Sequence, residues 1–245
     1  MSLLARFETI EEKDKEAAIA TLVERASPDF DFFFMMTLAV LMASFGLLLG
    51  SETIVIGSML LAPLLYPIIG FSLGLSTGDN KLLRRSFATV VKASVLSVIA
   101  SAVAGVFFFT THGTDAEVTP EILLRTVPSL LLLAVAVVSG VAVSYAMVKP
   151  KLSEILPGIA ISVALIPPLA VVGIGFAALN LSIIVGAAGV FLLNIFGIVV
   201  AALVCFSLMG MYKNREAAQS ALRKEEKRIE KEAAMIKEAD GEAAA

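Results

Sequence analysis

Tryptophan is absent from the 245-residue chain, and cysteine and histidine occur once each. With Cys205 alone inside an apolar run, a disulfide within the chain is excluded and a thiol role has no support. His112 has no Cys, Asp or Glu at ligand spacing, so no metal and no other cofactor is expected. Charge is scarce as well. Asp, Glu, Lys and Arg make up 17% of the chain, where soluble domains carry about a quarter. The net charge of −3 gives no basic face for nucleic acid outside the C-terminal tail. The most consequential absence is a carboxylate within the apolar runs. Glu52 comes nearest, at the outer end of the second run. Hydrolysis inside a membrane needs a Ser–His pair, paired Asp residues or a metal, so an enzyme is not expected.

What the chain has is apolar length. Hydrophobic residues make up 58% and the mean hydropathy is +0.90. The expected fold is all-α: a polytopic membrane protein with six transmembrane helices over residues 31–210. The spans fall at about 32–49, 54–74, 88–110, 129–148, 158–179 and 183–209. Phenylalanine triplets at 32–34 and 107–109 mark the membrane–water boundaries. Residues 1–30 form an amphipathic helix at 10–26, with Thr9 and Glu12 spaced as a capping box and Pro28 ending it. Acidic residues from Glu8 to Glu16 stand where a signal peptide needs an apolar core, so the first span is expected to act as the insertion signal.

Two of the six spans contain paired prolines, Pro63 with Pro67 and Pro167 with Pro168. A proline in a helix interior costs roughly 3 kcal/mol. In hydrocarbon the freed carbonyls need a neighbouring helix or a cavity, because water is missing. The two segments also align. Ser58 with Ser162, Leu61 with Leu165, Pro63 with Pro167 and Leu65 with Leu169 share one offset, and Gly70 meets Gly173 after one gap. A three-span unit ends on the side opposite its start, so its second copy enters upside down. Spans one to three and four to six are therefore expected to be inverted three-helix repeats. Interrupted segments at matching positions of two halves point to a midplane binding site in transporters.

The candidate pathway residues are Ser58, Pro63, Tyr66, Pro67, Ser162, Pro167, Pro168 and Asn194. Each has a plainer role beside the functional one. Ser58 and Ser162 are placed to bond back to their own helices. Tyr66 is either a satisfied structural hydroxyl or a ligand contact. Asn194, near the centre of span six, either bonds a carbonyl freed by a proline or lines a pathway. The small-residue stripes Ala93, Ser97, Ser101, Gly105 and Ala136, Gly140, Ser144 suit close helix packing.

Of the 19 Lys and Arg residues, only Arg125 falls on the far side and only Lys92 inside a span. Both termini are therefore expected in the cytoplasm, with the protein multi-pass in the plasma membrane. Residues 211–245 read as a charged helix. Leu222, Ile229 and Ile236 recur every seven positions, but the second apolar seam of a coiled coil is missing, so a solvated single helix is expected.

At IVIGSMLLAPLLYPIIG and GIAISVALIPPLAVVGIG the chain resembles the bacterial and archaeal membrane family known as domain of unknown function 389. The likeness extends through Gly78-Asp79 and through Asn194-Ile195-Phe196-Gly197, and so covers about residues 30–210. It implies a membrane protein of prokaryotes and brings no catalytic or binding residues with it. Function is expected to be a transporter or channel-like path for a small anionic or neutral polar solute, in a homo-oligomer embedded in the lipid bilayer. The alternative is an oligomeric structural or regulatory membrane protein whose cytoplasmic tail binds a partner.

Overall fold

The computed structural model describes residues 10–112, 118–149, 151–152, 156, 158–159 and 164–243, and no strand occurs among them. Helix α1 (Glu12–Arg25) opens the described chain. Its N-cap is Glu11, whose side chain caps nothing, while Thr9 lies outside the described residues. The expected capping box needs Thr9 and so lies outside the described residues, whereas the bonds of Glu12 to other residues are plain. Glu12 accepts from Lys15 Nζ at 2.8 Å and from Asn214 Nδ2 at 2.9 Å. Those two bonds hold the Glu12 carboxyl below the usual carboxylate range.

Helix α2 (Phe30–Leu48) begins where Asp29 accepts from the Phe32 amide at 2.9 Å, a side-chain N-cap. Phe30 and Phe34 stack outward with centroids 5.7 Å apart, whereas Phe32 turns into the core. Gly50, at φ 65°, reverses the chain into α3 (Glu52–Leu61). After a 50° bend α4 follows (Leu65–Thr77). Gly78 takes the left-handed conformation that ends α4, and the buried Asp79 caps α5 (Asn80–His112) through the amides of Lys81 and Leu82. With 33 residues, α5 runs to roughly 50 Å, well beyond a hydrocarbon core of about 30 Å. It therefore starts before the expected position 88, and its first turns run beside α4.

A short helix, α6 (Pro120–Leu123), precedes α7 (Leu130–Val148). Helix α8 (Ile166–Ala177) packs along α5, and α9 (Leu181–Leu208) packs along α7. Among the described residues four helices, α2, α5, α7 and α9, are long and apolar enough to cross a membrane. The bent α3–α4 pair makes a fifth if it counts as one span. The span expected at 158–179 becomes a described helix only from Ile166, and at 12 residues α8 is too short to cross alone.

Both small-residue stripes are used inside the chain. A Cβ on Gly140 would stand 2.8 Å from Ala201 Cβ, and one on Gly197 would stand 2.7 Å from Ala136 Cβ, which seals α7 against α9. A Cβ on Gly105 would stand 2.7 Å from Ala177 Cβ, on the seam between α5 and α8. Without a hydrophobic drive between helices in lipid, such close backbone approach is what holds them together.

Helix α10 (Arg215–Ala243) lies against α1. The expectation of a solvated single helix is corrected here: Ala218 and Leu222 are buried in the core that also holds Ile19 and Leu22. One apolar residue per turn suffices because α1 supplies the other half of the seam. Beyond that contact Ile229 is half-buried and Ile236 exposed. Ion pairs fasten the same face, with Arg228 on Asp29 at 2.9 Å and on Glu225 at 2.7 Å, and Lys81 on Glu226 at 2.7 Å. The two carboxylates keep the Arg228 guanidinium even more firmly protonated than usual.

Candidate functional site

The site is built from two places where an apolar segment stops and a new helix starts at a proline. At the first, Ala62 adopts φ −82° and ψ 120°, the extended conformation that a following proline imposes. The chain then turns, with the Tyr66 amide bonding the Pro63 carbonyl at 3.2 Å, and α4 begins at Leu65. Pro67 sits in the first turn of α4, where amide groups have no intrahelical partner to lose. Pro167 and Pro168 occupy the same place at the start of α8. The second apolar run is thus broken as expected, with a 50° bend between α3 and α4. The interior penalty is avoided because Pro63 lies in the turn before α4 and Pro67, Pro167 and Pro168 fall in the first turn of a helix.

Carbonyls upstream of the prolines remain to be satisfied, and the two breaks solve this differently. At the second, Ala164 stands at φ 46°, a left-handed conformation unusual for a residue with a side chain. Its carbonyl would bond the amides of residues 167 or 168 in a continuous helix, and both are proline. Asn194, only 3% exposed and midway along α9, directs its Nδ2 at that carbonyl from 3.5 Å. Of the two roles open to Asn194 in the sequence, the structure displays the first. Ser162 lies outside the described residues.

The turn after this break is locked to its neighbours by a buried hydroxyl chain. Ser101 donates to the Ala170 carbonyl at 2.5 Å, and Ser44 Oγ lies 2.9 Å from Ser101 Oγ. Both serines are fully buried. A Cβ on Gly173 would stand 2.5 Å from the Val98 carbonyl and 2.6 Å from Ser101 Cβ, so α8 and α5 touch backbone to backbone.

The first break opens instead toward the end of the molecule that carries α1 and α10. Arg25 Nη1 donates to the Tyr66 hydroxyl at 2.5 Å, and the guanidinium carbon lies 5.2 Å from the ring centroid. Tyr66 was expected at mid-depth. Its phenol belongs at the α1 end, because the chain bends before it and α4 heads along the base of α5. Two clefts meet at the Arg25–Tyr66 pair. One, of about 270 Å³, is bordered by Asp14, Thr21, Met147 and Leu156. The other, of about 230 Å³, is bordered by Asp29, Asp31, Leu61 and Pro63. Ser58, one turn before the break, is buried and donates to the Val55 carbonyl of its own helix at 2.6 Å.

Sequence reasoning missed Arg25, Asp14 and Thr21. Their spacing of seven and four residues places them on one face of α1, which was the available signal. What was not available was the surface that this face meets. Among the described residues no group of three His, Cys, Asp or Glu side chains is placed to hold a metal.

The arrangement leaves polar groups in two places along α4, α8 and α9. The first break offers a charged, cleft-bordered pair. The second offers a carboxamide against a strained carbonyl. Both α4 and α8 begin without a side-chain cap, so their N-terminal amides and partial positive charge face the breaks.

Comparison with known proteins places these features in a family. The family model for domain of unknown function DUF389 matches residues 59–200, which contain both breaks and Asn194. An uncharacterised protein of Methanocaldococcus jannaschii is 30% identical over 198 residues, covering 77% of this chain. The chain spans 58% of that relative's length. No solved structure matches the chain.

Proposed function

The chain belongs to the DUF389 family, and we propose that it is a membrane transporter or channel-like protein for a small anionic or neutral polar solute. The observation that carries this reading is Asn194, a buried amide midway along an apolar helix, facing a carbonyl that two prolines deprive of helix partners. Polar groups at such depth are expensive and mark solute pathways in membrane proteins. Arg25 and the uncapped starts of α4 and α8 favour an anion or a neutral molecule over a cation.

In this reading the chain has six spans, and the halves are inverted three-helix repeats with α4 and α8 as counterparts. The protein is a homo-oligomer in the plasma membrane, with α1 and α10 in the cytoplasm. It catalyses no reaction. The arrangement with Arg25 on Tyr66 is the closed one, and solute passes from the first break toward Asn194 when that contact opens.

The test is flux into proteoliposomes with glycerol as a neutral probe and chloride as an anionic one, normalised to folded protein. Asn194→Leu, Pro67→Ala and Pro167→Ala are each expected to change flux by several-fold while the protein still inserts. Unchanged flux in all three would remove these residues from any pathway.

A second reading has an observation of its own. The tail helix docks on α1, and α1 in turn covers the first break, which supports a tail that regulates the break or recruits a partner. Removing residues 213–245 separates the two: a transporter core keeps its flux, whereas a scaffold loses its partner.

A further inference from the structure

Alongside the breaks, α4, α5 and α9 enclose an apolar groove of about 390 Å³ that has no part in the pathway above. Ile68 and Phe71 form one wall, Phe87 and Val91 the floor, and Phe191 and Ile195 the other wall. Ser94, the single polar side chain among the described residues that border it, is already used, since it donates to the Val90 carbonyl of its own helix at 2.8 Å. Phe87 and Val91 continue the exposed apolar stripe of α5, so the groove opens toward lipid.

The charge at the lower end of this groove is distinctive. Three basic residues stand at the base of α5. Lys81 is paired with Glu226 at 2.7 Å, and Arg85 donates to Ser27 at 3.1 Å. Arg84 is exposed and has no hydrogen bond or ion pair among the described residues. It lies three residues before Phe87 and seven before Val91, which places it on the same face and roughly 4–5 Å below the groove floor. From Phe87 to Val95 the floor is roughly 12 Å long, enough for about half of a phospholipid acyl chain.

We propose that this groove with Arg84 is a binding site for an anionic phospholipid. One acyl chain lies between α4 and α9, and the phosphate is held by the Arg84 guanidinium. A planar fork of donors matches phosphate oxygens, and a guanidinium on a long apolar stem reaches the headgroup layer from just inside it. The site stands independently of whether a solute crosses the protein.

The experiment is native mass spectrometry and thermal unfolding of the full chain in dodecyl maltoside. Phosphatidylglycerol, phosphatidylcholine or inorganic phosphate is added. Phosphatidylglycerol is expected to bind and raise the unfolding temperature, with inorganic phosphate giving no shift. Arg84→Gln, at an exposed position, should weaken phosphatidylglycerol binding about tenfold and erase its advantage over phosphatidylcholine. Ile195→Trp, which fills the groove while leaving Arg84 in place, should weaken both lipids. Equal phosphatidylglycerol binding by Arg84→Gln and the parent overturns the proposal. So does stabilisation by inorganic phosphate alone, which would make Arg84 a free-anion site. Loss of an oligomer in Ile195→Trp with lipid binding intact also overturns it, and would assign the groove to a second copy of the chain.

Discussion

The two breaks begin from one motif and end in different environments. Around Pro63–Pro67 the new helix starts beneath α1, against Arg25 and beside two clefts bordered by Asp14, Asp29 and Asp31. Around Pro167–Pro168 it starts in a packed crossing. There Asn194 serves the stranded Ala164 carbonyl, and Ser101 ties Ala170 to α5. A proline at a helix start solves the problem of its own missing amide in both places. It leaves open what meets the carbonyls before it. A charged helix from outside the bundle lies over one break, and an amide within the bundle meets the other. The pair is alike in sequence and different in what covers it.

The matched glycines Gly70 and Gly173 sharpen this contrast most. A Cβ at Gly173 runs into the backbone of α5 at Val98 and Ala102, which can yield only if the helices part. Gly173→Ala is expected to destabilise the protein by about 1–3 kcal/mol, read as a lowered midpoint in thermal unfolding in detergent. At Gly70 the nearest atom is the Ser86 hydroxyl at 2.8 Å, the end of a rotatable side chain, and the next is Ala26 Cβ at 3.6 Å. Gly70→Ala should cost a small fraction of that. Equal losses would erase the difference in packing between the breaks.

Next in size is Asn194→Leu. Leaving the half-buried Ala164 carbonyl without its amide should cost about 1 kcal/mol in the same assay, the bond being a long one. The counterpart at the first break is Tyr66→Phe, which removes a hydroxyl whose partner Arg25 is exposed and able to turn to water. Its effect on stability should be about 0.5 kcal/mol or less. Under the proposed function its effect on flux should be larger, since Arg25 loses its partner at the first break.

The smallest effect concerns the helices above the first break. Glu12, held below the usual carboxylate range by Lys15 and Asn214, binds its proton less readily when α1 and α10 are docked. Its contribution is therefore complete above the ordinary pKa of 4.5 and is lost as pH falls through the lower folded value. Because Glu12 is largely exposed, the change should be slight: faster hydrogen exchange in α10 below pH 4.5, abolished by Glu12→Gln.

The membrane class, the helix limits of α2, α7 and α9 and the use of the small stripes in close helix packing were legible because they depend on local composition and spacing. So was the possibility that Asn194 serves a freed carbonyl, which follows from two consecutive prolines and one amide at depth. The depth of Tyr66 was not legible. A proline inside an apolar run looks the same whether it kinks a helix or begins one, and only the bend after Leu61 decides where the phenol points. Nor was the docking of α10. Leu222 carries half a seam, and the other half is supplied by Ile19 and Leu22, some two hundred residues away.

The most direct test of the asymmetry is access of water to each break. With Cys205→Ser as background, Tyr66→Cys and Ala164→Cys would be treated with a membrane-impermeant maleimide in inside-out vesicles. The account predicts rapid labelling at position 66 and protection at position 164. Equal labelling at the two positions, or protection at both, would contradict it.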